Sequence, residues 1–145
     1  MKTSIVKNVV RVILPLIQIF GAYVIIFGHI SPGGGFAGGS IIGSSLILYR
    51  LIYGSERADR KFVYSYLLKL VSISLVVYGT LKGLIFILEH LGFNGFIPIG
   101  VPGNLLSGGL IMPLNVLIGI VVSITFYFIA ILFEEGELEN VNSAE

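Results

Sequence analysis

Residues 110–133 read LIMPLNVLIGIVVSITFYFIAILF, 24 consecutive positions without a charged side chain. As a helix this run is about 36 Å long at 1.5 Å per residue, enough to cross roughly 30 Å of hydrocarbon. A helix on the surface of a soluble domain keeps one polar face, whereas a helix surrounded by lipid is apolar all round. The rest of the chain agrees. Of its 145 residues 55% are hydrophobic and only 12% charged, with a mean hydropathy of +0.98, where soluble domains carry roughly a quarter charged residues. The fold class expected is all-α, an integral membrane bundle.

Working outward from that run, three more segments are long and apolar enough to span, giving four transmembrane helices at about 8–28, 36–53, 66–88 and 110–133 in a single transmembrane domain. The first reaches its length if Lys7 and Arg11 snorkel. It is read as a span and not as a cleaved secretory signal, because it outruns a usual signal core and a second apolar segment follows at once. Residues 134–145 hold five of the eight acids and are expected to form a solvated acidic tail.

Basic residues sort the ends. Lys2, Lys7 and Arg11 precede or open the first span, and Arg50, Arg57, Arg60, Lys61 and Lys69 surround the connection between the second and third. Such residues are retained on the cytoplasmic side, so both termini are expected there, in a cell membrane crossed several times.

Other classes of chemistry are set aside by composition. A net charge of +1 leaves no basic face for nucleic acid. The chain has no cysteine, and its two histidines, His29 and His90, stand far apart, so neither a metal site nor a cofactor is expected. No nucleophile and base pair suggests itself, and the chain is not read as an enzyme on its own.

Three features carry candidate chemistry. The first is the corner GHISPGGGFAGG, residues 28–39, where proline stops a helix and three glycines permit a sharp turn. Irregular backbone at membrane depth must be buried in protein or line a water-filled cavity. Two readings stay open: a tight packed corner, or an unwound segment whose carbonyls and His29 face an ion path. The second feature is a set of small-residue stripes: Gly35, Gly39 and Gly43 in the second span; Ser72, Gly79 and Gly83 in the third; Asn115, Gly119, Ser123 and Tyr127 in the fourth. Stripes of this kind allow close helix packing, and three of them in so small a bundle suggest neighbouring subunits. The third is Lys82, an ionisable group inside a span and so a functional hypothesis, with snorkelling as its alternative. Tyr78 and Glu89 are its candidate companions on an ion pathway, and a boundary histidine such as His29 or His90 can titrate near neutrality.

The run Gly28, His29, Ser31, Pro32, Gly33, Gly34, Gly35, Phe36 and Gly39, with Leu106-Ser107-Gly108-Gly109 and Met112-Pro113-Leu114-Asn115-x-x-x-Gly119 later in the chain, resembles the B subunit of multisubunit monovalent cation/proton antiporters, the MrpB or MnhB family. The resemblance runs from the first span to the fourth. It implies four transmembrane helices, other membrane subunits as partners, and sodium ions and protons as the transported species. It also implies kinship with modules of membrane-bound hydrogenases, so the host is either an antiporter or a hydrogenase-type complex. A small self-sufficient channel is the rival from another class.

Overall fold

A computed structural model describes residues 2–28, 33–91 and 109–142, with side chains over 4–28, 33–91 and 109–136. The described residues form helices α1 (Lys2–Ile26), α2 (Gly34–Tyr53), α3 (Ser55–Lys61), α4 (Tyr64–His90) and α5 (Ile111–Asn142), without a strand. All but α3 are long and apolar enough to cross a membrane, which makes this a multi-pass membrane protein.

The helices are packed unequally. α2 lies between α1 and α5, while the packing of α4 is against α5. α2 and α5 run parallel, with α1 and α4 antiparallel to them, so the start of α1, the ends of α2 and α5, the whole of α3 and the start of α4 share one end of the bundle. The core is the seam of α1, α2 and α5, where Val10, Leu14, Ile25, Leu46, Leu114, Ile124 and Tyr127 are buried. On α4 the buried residue is Ser74, and its Leu75, Val76, Leu84, Phe86 and Ile87 are exposed. Large apolar side chains on the outside suit a lipid solvent, in which burial of carbon against carbon gives helices no hydrophobic drive to associate.

Small residues decide what packs closely. A Cβ on Gly39 would sit 2.7 Å from the Gly119 carbonyl oxygen, and one on Gly43 would sit 2.9 Å from that of Ser123. Gly35 meets the Asn115 carbonyl in the same way. The α2 and α5 stripes therefore face each other in register, Gly35 on Asn115, Gly39 on Gly119 and Gly43 on Ser123. On its other side α2 presents Gly38, where a Cβ would come 2.6 Å from the Gly21 carbonyl of α1. Gln18 Nε2 donates to Ser45 Oγ across the same seam at 3.3 Å.

Two expectations change here. Three stripes together suggest neighbours, yet two of them are used within the chain, against one another. The α4 stripe differs, since a Cβ on Gly79 or Gly83 would meet nothing within 4 Å and Ser72 is exposed. The second change is at the C-terminus: helix α5 passes the expected boundary at 133 and continues to Asn142. Its Glu134, with a side chain still 41% exposed, pairs with an arginine of α2.

Candidate functional site

The corner between α1 and α2 is drawn together by its glycines. Gly34 has φ +50, a conformation that L side chains rarely adopt. That turn brings the backbone of Gly34 against Gly28, where a Cβ on Gly28 would overlap the Gly34 Cα. Asn115 of α5 closes the group: its Nδ2 would stand 3.0 Å from such a Cβ on Gly28, and its Oδ1 would stand 3.7 Å from one on Gly34. Thus two runs far apart in sequence, GHxSPGGGFxxG and MPLNxxxG, converge in space at Gly28, Gly34, Gly35, Asn115 and Gly119. Phe36 is exposed and its ring stands edge-on to Phe126, 6.4 Å away. Gly33 precedes α2 as its N-cap, without a side-chain cap. His29, Ser31 and Pro32, and with them the ion-path reading of the corner, lie outside the described residues.

The other end of the α2 and α5 seam holds charge. Arg50 is 7% exposed and its Nε donates to Glu134 Oε2 at 2.5 Å, while Nη1 donates to Asp59 Oδ1 at 2.5 Å and to the Tyr127 hydroxyl at 3.4 Å. Each partner arrives for a local reason. Gly54, with φ +88, ends α2 and turns the chain into α3, so that Asp59 folds back on the arginine nine positions before it. Tyr127, fully buried, ends the small-residue stripe of α5, and Glu134 lies about two turns further along that helix. Rings complete the site: Phe62 stands edge-on to Tyr49 at 5.5 Å and to Tyr127 at 5.7 Å. An isolated buried guanidinium is expensive, and two carboxylates with a phenol offset that cost. The side chains of Asp59 and Glu134 remain 57% and 41% exposed, so water also reaches the cluster. Its chemistry is electrostatic: arginine does not release its proton at ordinary pH and cannot relay one.

Of the expected ion-pathway residues, the described ones, Lys82, Tyr78 and Glu89, share no hydrogen bond or ion pair with one another. Lys82 is exposed on α4 and has no hydrogen bond or ion pair among the described residues. Tyr78, one turn earlier, turns toward α5 and lines an apolar cleft with Leu75, Leu117 and Val121. Glu89 is exposed, about 10 Å along the axis from Lys82, and His90 stacks on Phe86 with centroids 6.2 Å apart. No group of three or more metal-ligating side chains occurs among the described residues.

The arginine cluster was missed by sequence reasoning, which counted Arg50 only as a topology signal. A signal was present, since an arginine within a span calls for a carboxylate nearby and Asp59 follows the glycine that ends the helix. Glu134 could not be chosen among five clustered acids without knowing that α5 runs on. The α1 contact through Gly21 and Gly38 was likewise missed, because no glycine stands three or four positions from Gly21 to mark a stripe.

Comparison with known proteins places these features. Residues 5–128 match the family described as a domain related to the MnhB subunit of the Na+/H+ antiporter. The chain belongs to this family. An uncharacterized protein of Methanocaldococcus jannaschii is 29% identical over 124 residues, covering 81% of this chain and 47% of that protein. A Staphylococcus epidermidis protein provisionally named antiporter subunit mnhB2 is 41% identical over 49 residues, 34% of this chain and 35% of its own. One of Staphylococcus aureus with the same name is 38% identical over 52 residues, 36% of this chain and 37% of its own. The chain spans under half the length of each of these relatives. Within this MnhB-related chain the matched region includes the Gly28, Gly34 and Asn115 corner together with Arg50, Asp59 and Tyr127, and ends before Glu134.

Proposed function

We propose that the chain is a membrane subunit of a multisubunit sodium/proton antiporter in the cell membrane, contributing a helical scaffold and not catalytic by itself. The observation that carries this reading is the make-up of the bundle interior. Between the Asn115 corner and Arg50, the buried polar side chains on α2 and α5 are Ser45 and Ser123, and Gly39, Gly43 and Gly119 are packed against neighbouring atoms. A path for ions or protons needs water or a succession of polar and titratable groups, and the described residues of this seam line up no such succession: the cleft beside Gly119 and Ser123 is walled by Ala22, Ile25, Ile42, Val116 and Ile120. Ions would then move where this chain meets other subunits. The family match and the names of the staphylococcal relatives supply the antiporter. The basic residues gathered at one end of the bundle support an orientation with both termini cytoplasmic.

Two experiments test this. Since the chain has no cysteine, single cysteines at Glu56 and Asn94 can be probed with an impermeant reagent in intact cells. Labelling at position 94 and not at position 56 is expected, and the reverse would overturn the orientation. Extracting the tagged chain from native membranes in mild detergent should bring other integral membrane subunits with it. If those companions are hydrogenase-type redox subunits, the host is that complex and not an antiporter. Recovery of this chain in isolation would contradict the subunit reading.

A further inference from the structure

Helix α3 has two unlike faces. On one, Ala58 is fully buried, Asp59 is paired with Arg50 at 2.5 Å, and Phe62 just beyond the helix sets its ring against Tyr49 and Tyr127. At 100° per residue the opposite face carries Arg57 and Arg60, with Lys61 on its flank, all exposed. Asp59 is spent inward, and Glu56, one turn before Arg60 at an edge of this face, makes no ion pair among the described residues. Lys61 is held in place, its Nζ 4.5 Å from the centroid of the Tyr49 ring. Because α3 joins two membrane-crossing helices, these cations sit at the margin of the hydrocarbon. The exposed rings of Tyr64 and Tyr66 follow directly, and such amphipathic rings settle at headgroup depth.

We propose that Arg57, Arg60 and Lys61 form a binding site for the phosphate headgroup of an anionic phospholipid, and that the Asp59 to Arg50 pair builds it by fixing which face α3 turns outward. Lipid is the occupant because phosphate diesters are the acidic groups at this depth around a membrane helix, and guanidinium forks match phosphate oxygens two at a time. Basic clusters immediately outside a span attract anionic headgroups by the same electrostatics. The inference needs only that α2 and α4 cross the bilayer, and it stands apart from the antiporter reading.

The test is native mass spectrometry on the purified full chain, with phosphatidylglycerol and phosphatidylcholine offered together. Wild type should retain phosphatidylglycerol preferentially. The triple variant Arg57→Gln, Arg60→Gln, Lys61→Gln should lose that preference by at least about tenfold, and Arg57→Lys with Arg60→Lys should keep most of it. An unchanged preference in the triple variant overturns the proposal. Asp59→Asn separates a built site from a diffuse positive field. A diffuse field would hold anionic lipid more strongly once an acid is removed, whereas a site that depends on the latch should hold it less, so increased retention also overturns the proposal. Absence of any preference in wild type overturns the proposal as well, and points to a protein surface as the occupant of this face. Helical circular dichroism of each variant establishes that it is folded.

Discussion

Arg50 sits where α2 leaves the hydrocarbon, and its two carboxylates and phenol come from α3 and α5. Removing one partner leaves a buried cation with part of its shell missing. Asp59→Asn or Glu134→Gln should each lower stability by about 1–3 kcal/mol, the cost of an unmade hydrogen bond to a charged group. The carboxylates' partial exposure to water argues for the lower half of that range. The double variant leaves the guanidinium uncompensated and should lose more, about 3–5 kcal/mol. Arg50→Gln should fall between, since the freed carboxylates can hydrate. Thermal unfolding in detergent followed by circular dichroism measures all four, and an Asp59→Asn, Glu134→Gln double variant as stable as wild type would show that Arg50 is not held by this pairing.

At the scale of elements, the glycines of α2 and α4 do different work, and substitution should separate them. Gly39→Leu pushes a side chain into the Gly119 backbone and should unseat α5 from α2, destabilising the chain itself by more than the 1–3 kcal/mol typical of an extra methylene in a packed core. Gly79→Leu and Gly83→Leu enter open space and exchange a poor helix former for a good one. They should leave the chain's own melting temperature equal or higher while reducing recovery of partner subunits. Lys82→Met belongs with them: if Lys82 meets an acid on a neighbour, partner recovery falls, and if it only snorkels, recovery is unchanged. Normal recovery with all three α4 variants would place this face against lipid. The sequence showed both stripes equally well, because four-residue spacing marks a face without saying what covers it. Hydropathy likewise located all four apolar helices, which depend on composition averaged over many residues. The Arg50 latch depends on one left-handed glycine at position 54 and on the length of α5, neither of which a hydropathy pattern records.

Among the described residues, α1, α2 and α5 form a glycine-packed core and α4 lies on one side of it against α5, its Gly79 and Gly83 met by no neighbour. Two of the three runs that carry the family resemblance meet at one corner through Gly28, Gly34, Gly35 and Asn115. Between the Asn115 corner and Arg50 the described residues line up no continuous polar route. The most direct test of that claim is sodium-driven proton movement in vesicles, measured for the intact complex extracted from native membranes and for this chain purified alone at matched amounts. The complex should exchange sodium for protons and the isolated chain should leave the gradient undisturbed. Ion or proton flux through the isolated chain would contradict the account and make it a channel in its own right.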